Sequence, residues 1–185
     1  SLLDAGFADP WNRLHPGEKL AVFRWGGFSE DKQARFLSPE SALFSEIGRR
    51  FALEWRKEFG PNRHVLVDSF NEMDLPSAGP ARLDFLADYG KRIHTMLDAA
   101  DRESVWVIQG WMFGYQRDIW RADAVAALFS RVPKGRALIL DMACDYNQTF
   151  WHNGPNWSLY AAFGGHDWVY GTIPNMGGKT GYTGV

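Results

Sequence analysis

The sequence predicts an α/β fold built on a parallel sheet, and within that class a (β/α)₈ TIM barrel of which about four βα units are present. Three observations predict it. Short, nearly continuously apolar runs alternate with amphipathic helical stretches, the pattern of parallel βαβ units whose strands are covered on both faces. The runs begin near residues 64, 105, 137 and 167, a spacing of roughly 30 to 40 residues, and eight such units make a barrel of on the order of 250 residues. Polar and aromatic residues gather where each run ends, and no GxGxxG or GxxxxGK turn follows any of them. That disfavours a doubly wound nucleotide-binding sheet, the competing architecture at this length. Residues 1–185 are accordingly expected to form one partial barrel domain, truncated at both ends.

The elements follow in order. A helix is expected from Ser38-Pro39, a capping residue followed by proline at the first helical position, to the stop at Gly60-Pro61. Its apolar positions Leu43, Ile47, Phe51, Trp55 and Phe59 recur every four residues. His64 to Phe70 is β-branched and of strand length. A loop with Pro76, Gly79 and Pro80 leads to a second helix with a buried stripe of Leu83, Leu86, Ile93 and Leu97. Val105–Ile108 reads as a strand, Asp118 to Ser130 as a helix with Trp120, Ala124 and Leu128 on one face, and Ala137–Asp141 as a third strand. Thr149 to Phe163 is aromatic and loop-like with one short helix, and Asp167–Thr172 is a fourth strand.

Composition narrows the function classes. Hydrophobic residues at 45% and charged residues at 23% describe a globular chain with enough apolar surface for a core. Twenty basic against 22 acidic residues, a net charge of −2, is the wrong balance for a nucleic-acid partner. A single cysteine, Cys144, excludes a disulfide framework and CxxC metal sites. No run of eighteen apolar residues exists to span a membrane, and the N-terminal SLLDAGFADP has no signal-peptide pattern. His15, His64, His94, His152 and His166 show no HxH or HExxH spacing and no GxSxG elbow occurs, so neither a metal nor a cofactor is expected. The 9 tryptophans and 15% aromatic content stand out.

In a parallel barrel the C-terminal strand ends meet at one mouth, where active sites sit. Here those ends carry Asn71-Glu72, Gln109-Gly110-Trp111, Asp141-Met142 and Asn175-Met176. Desolvation at the end of an apolar strand favours a carboxyl's protonated form, which suits Glu72 to general acid work. Asn71 beside it offers a donor and an acceptor to a sugar substituent. An Asn-Glu pair at a barrel strand end is the acid/base arrangement of many retaining glycosidases, although for a lone pair, loop capping or pairing with an arginine is the commoner role. Tryptophans present flat faces to sugar C–H groups. Trp25, in the glycine-flanked Arg24–Phe28 loop, and Trp111, after a glycine at a strand end, are candidate platforms. Trp55, Trp106 and Trp120 are assigned to the core, and Cys144 reads as a buried thiol.

Five blocks, Phe36–Glu40, Lys57–Gly60, Asp68–Met73, Trp106–Phe113 and Leu138–Asp141, resemble the α-N-acetylglucosaminidases of glycoside hydrolase family 89. Their order and separations are similar, they cover most of the chain, and an FNEM block followed by WxxQGWxF is a specific combination. The resemblance implies a (β/α)₈ barrel flanked by other domains and retaining hydrolysis of terminal α-linked N-acetylglucosamine. By position it makes Glu72 the general acid/base, Asn71 a sugar contact, Trp25 and Trp111 pocket walls, and Gln109, Met142, Asn175 and Met176 substrate-binding residues. It also implies a secreted, periplasmic or lysosomal location.

Departures from the family pattern are Cys144-Asp145 in place of Ala-Glu, and Pro174 in place of a histidine. The family's nucleophilic glutamate lies on a later strand, beyond the Asn175–Gly178 loop, and is expected beyond residue 185. It cannot be replaced by the substrate's acetamido group, which in an α-glucosaminide is cis to the leaving group and unable to attack from behind. The 185 residues alone are therefore expected to be inactive. Another retaining barrel glycosidase of different sugar specificity, or a non-catalytic glycan-binding barrel, are the alternatives.

Overall fold

A computed structural model describes residues 5–18, 20–75, 79–145 and 152–172. Helix α1 (Ala5–Leu14) precedes an antiparallel hairpin of β1 (Ala21–Phe23) and β2 (Ala34–Phe36), in register Ala21↔Phe36 and Phe23↔Ala34. Then come α2 (Ala42–Phe59), β3 (His64–Leu66), α3 (Gly79–Ala100), β4 (Val105–Gln109) and α4 (Trp111–Tyr115). The described chain finishes with α5 (Ala122–Phe129), β5 (Ala137–Asp141), α6 (Asn156–Leu159), α7 (Ala161–Gly165) and β6 (Asp167–Tyr170). Strands β3 to β6 form one parallel sheet in the order β3-β4-β5-β6. A doubly wound sheet reverses its strand order at a switch point, and no reversal occurs among these four.

The α/β alternation is as expected from His64 onward. Val105 to Ile108 are all buried, as a central parallel strand requires. The core joins Leu86, Ile93, Ile108, Met112, Leu128 and Ile139 to a web of aromatics around Phe113. Its ring meets Trp120 edge-on at 5.3 Å and lies 5.9 Å from Tyr160 and 6.0 Å from Phe163. Each such buried side chain contributes roughly 1.5–3 kcal/mol. Most of the aromatic excess is therefore structural. Helices α3 and α5 approach so closely that a Cβ on Gly90 would stand 1.9 Å from the Leu128 carbonyl oxygen. No described helix is long and apolar enough to cross a membrane.

Several boundaries differ from expectation. Helix α2 starts after Ser41, whose hydroxyl accepts from the Leu43 N–H at 3.0 Å, and not after Ser38. Ser38 opens the preceding turn, its carbonyl accepting from Ser41 N–H at 3.0 Å. Trp55, assigned to the core, is 45% exposed, and Phe51 and Phe59 more so. A strict four-residue repeat advances about 40° per step around a helix with 3.6 residues per turn, so the row spirals off the buried face. It winds onto an apolar groove of about 570 Å³ between α2, β3 and α3, lined by Phe51, Trp55, Val65, Val67 and Met96. Strand β3 is regular only to Leu66, because the chain turns at Phe70, which has φ 57°.

The helix expected from Asp118 begins at Ala122, with Trp120 buried in the turn before it. The stretch expected to hold one short helix holds α6 and α7, and α7 is a left-handed turn with φ near 50° at Ala161, Ala162 and Phe163. Helix α1 and the β1–β2 hairpin were not anticipated.

Candidate active site

Parallel strands in sequence order bring the segments after β3, β4 and β5 to one edge of the sheet. After β4, Gly110 donates to the Leu140 carbonyl at 2.7 Å, and a Cβ there would lie 2.8 Å from the same oxygen. Only glycine allows this approach. The chain then enters α4 at once, with Trp111 as its first residue. The Trp111 indole Nε1–H donates to Glu72 Oε1 at 2.8 Å, joining the ends of two strands across 39 residues of sequence. The ring is stacked on Tyr115 one turn later, centroids 5.5 Å apart and planes 18° apart.

Glu72 is half-buried in a loop held by its neighbours on both sides. Phe70 and Met73 are buried and point into the core. Phe70 and Glu72 both have left-handed backbone, φ 57° and 55°, a conformation costing about 1–2 kcal/mol for a residue with a side chain. Ala143, after β5, has φ 60°. Strain of this kind persists only where surrounding structure holds it, and it concentrates at functional sites. Here the holding element is the hairpin. Trp25 bridges to Met73, Gly26 N–H donates to the Glu72 carbonyl at 3.1 Å, and Asp74 N–H donates to the Arg24 carbonyl at 3.0 Å.

The Trp25 loop is braced in turn by Gln33, whose side-chain amide accepts from Trp25 N–H and donates to the Phe28 carbonyl. The half-buried Trp25 ring packs against Phe28 at 4.9 Å. Asn71 Oδ1 is buried with no hydrogen-bond partner among the described residues. Gln109 Nε2 donates to Asp68 Oδ2 at 2.8 Å, linking the ends of β4 and β3.

Met142 is half-buried at the end of β5, two strands from Glu72. Before it, Asp141 is fully buried and accepts from Asn156 Nδ2 at 2.7 Å, and Asn156 Oδ1 accepts from Arg117 at 2.6 Å. Burial pushes the Asp141 carboxyl above its ordinary range, the Asn156 hydrogen bond opposing it. Burial also pushes the Cys144 thiol up to about 12, so it is protonated at neutral pH and matches the buried thiol expected. Pro174, Asn175 and Met176 lie outside the described residues.

The structure thus brings Glu72, Trp111 and the Trp25 backbone together, pairs Gln109 with Asp68, and leaves Met142 further along the edge. Sequence reasoning missed three supporting residues. Tyr115 was discoverable from its i+4 spacing to Trp111, whereas Gln33 and Asp68 act through tertiary contacts that no local pattern announces. No cluster of three or more metal-ligating side chains occurs among the described residues.

Comparison with known proteins bears on this geometry. The model of a family described as the alpha-N-acetylglucosaminidase (NAGLU) tim-barrel domain matches residues 9–185. A human protein named alpha-N-acetylglucosaminidase is 34% identical over 162 residues, which is 87% of this chain and 20% of the human one. A family 89 glycoside hydrolase from Clostridium perfringens, solved with PUGNAc, superposes with a TM-score of 0.67 over 96% of this chain and 18% of its own, at 18% identity. The same organism's enzyme, carrying two glutamate-to-glutamine substitutions and bound to its substrate GlcNAc-alpha-1,4-galactose, gives 0.63 over 91% of this chain and 17% of its own, at 20% identity. At that identity the likeness is one of fold. The chain spans about a fifth of the length of these relatives.

Proposed function

The chain belongs to the α-N-acetylglucosaminidase family, and on that premise we propose that it is part of the catalytic (β/α)₈ barrel of a retaining glycoside hydrolase removing terminal α-linked N-acetylglucosamine, with Glu72 as general acid/base. The observation that carries the reading is the carboxyl of Glu72. It is half-buried at the C-terminal edge of a parallel sheet, on strained backbone, and hydrogen-bonded by the indole that opens the helix after the next strand. Catalytic groups of parallel barrels occupy that edge. Four parallel strands in unbroken sequence order support an arc of such a barrel over residues 1–185.

Hydrolysis with retention needs two carboxyl groups about 5–5.5 Å apart, one giving a proton to the leaving oxygen and one attacking the anomeric carbon. Glu72 takes the first role. The second falls to a glutamate on a later strand of the longer polypeptide, since the cis acetamido group of an α-glucosaminide cannot attack from behind. Asn71, with a buried acceptor oxygen awaiting a donor, suits contact with the sugar's amide or hydroxyl groups. Trp25 and Trp111 wall the pocket, and Gln109, Met142, Asn175 and Met176 complete its lining.

The test is Glu72→Gln in the full-length protein. General acid catalysis contributes about 10²–10⁴-fold, so turnover of GlcNAc-α-1,4-galactose should fall by that order. A dinitrophenyl α-N-acetylglucosaminide, whose leaving group needs no proton, should lose far less in its first step. Equal losses on both substrates refute the assignment.

A further inference from the structure

We propose that Trp111 is a positioning residue for proton transfer as well as a pocket wall: its indole N–H commits Glu72 Oε1 as an acceptor and so places the transferable proton on Oε2. The inference rests on the acid/base reading of Glu72 and adds to it which oxygen acts and what selects it. An indole nitrogen donates and never accepts. At 2.8 Å from Oε1 it therefore occupies that oxygen's lone pair in either protonation state of the carboxyl. Oε2 has no hydrogen-bond partner among the described residues, which leaves it the atom open to substrate.

The geometry is imposed by backbone on both sides. Trp111 is delivered by the close approach of Gly110 to Leu140 and stacked on Tyr115. Glu72 is delivered by the left-handed turn pinned to Gly26 and Arg24. In the glycosylation step the proton on Oε2 passes to the glycosidic oxygen as the C1–O bond breaks. The bonding pair stays on that oxygen, and the second carboxylate of the longer protein bonds to C1. Charge then develops on Glu72, and a hydrogen bond to an ionised acceptor is about twice as strong as one to a neutral acceptor. The Trp111 contact thus strengthens along the reaction and lowers its barrier. When the carboxylate later takes a proton from water, the same contact keeps Oε2 turned to the pocket.

The experiment compares kcat/KM of the full-length protein and its Trp111→Phe variant on GlcNAc-α-1,4-galactose and on a dinitrophenyl α-N-acetylglucosaminide. Loss of the contact should lower kcat/KM for the disaccharide about tenfold more than for the dinitrophenyl substrate, on top of whatever loss the trimmed pocket wall imposes on both alike. Both substrates share the same sugar, so a residue that only walls the pocket would lower both equally, and that result overturns the inference. Replacing Trp111 by benzothienylalanine removes the N–H while keeping ring size and shape. It must reproduce the split even where the phenylalanine variant folds poorly, and wild-type behaviour of that analogue also overturns the inference. Should Glu72→Gln itself lower both substrates equally, the acid/base reading fails. Should it discriminate while the Trp111 variants do not, only the present inference fails.

Discussion

Gly90 offers a sharp test of how α3 and α5 are joined. A methyl carbon added there would lie 1.9 Å from the Leu128 carbonyl oxygen and 3.1 Å from its carbonyl carbon. Backbone cannot swing aside as a side chain does, so the two helices must part by about 1 Å. A gap of that size forfeits a quarter to a half of each contact along the interface, and overpacking of this kind costs about 1–3 kcal/mol. Alanine's better helix propensity returns about 1 kcal/mol. Because the clash is with backbone, the upper end of that cost applies, about 3 kcal/mol less the roughly 1 kcal/mol returned. The net expectation for Gly90→Ala is destabilisation by about 2 kcal/mol, or a fall in melting midpoint of roughly 4 °C for a large cooperative unit. Gly48→Ala is the control. Its Cβ would meet only the Met96 side chain, with Sδ at 2.1 Å, and an unbranched thioether moves aside at little cost. Thermal melts of the full-length protein followed by circular dichroism read both variants. A neutral Gly90→Ala, or a Gly48→Ala that falls equally far, refutes the claim that α3 and α5 meet through backbone at Gly90.

Two further outcomes follow from the same reasoning. Ala162 is exposed and left-handed at φ 49°, so Ala162→Gly should stabilise by about 0.5–1 kcal/mol, whereas the same change at the exposed, right-handed Ala126 of α5 should destabilise by a similar amount; equal signs in urea titrations would show that α7 is not left-handed. Burial holds the pKa values of His166 and His94 below the ordinary 6.5, the nearby Lys134 acting on His166 in the same direction and Asp167 against it, and Asp98 opposing the shift of His94. The unfolded chain then takes up protons near pH 6.5 that the folded chain refuses. Stability from this source is complete above that pH and lost progressively below it. Melting midpoints should fall between pH 7 and pH 5, and the fall should shrink in His166→Phe, which keeps the contact with Phe129; an unchanged slope refutes the role of His166.

Much of the fold is written locally. β4 was legible because a strand buried on both faces must be apolar throughout, as Val105 to Ile108 are. β5 was legible because Ala137 to Leu140 form an unbroken apolar run, although Leu138 and Leu140 are only half-buried, and α3 because its stripe recurs at helical spacing. Glu72 and Trp111 were legible as site candidates because polar residues ending apolar strands share one edge of a parallel sheet. The limits of local reading are equally physical. The four-residue row of α2 is apolar in sequence, yet whether it is covered depends on what lies beside β3. Strands β1 and β2 have three residues each and little periodicity, and the hairpin is recognisable only by its grip on residues 72–74.

The amino-acid sequence by itself determined the α/β class, the parallel units and the residue types available for chemistry, because these depend on side-chain periodicity and strand-end polarity. Only the tertiary structure decided that an indole 39 residues away holds the Glu72 carboxyl, that the backbone beneath it is left-handed, and that Gly110 clears the path. Those are contacts between distant segments, and they exist only once the sheet has set its strands side by side.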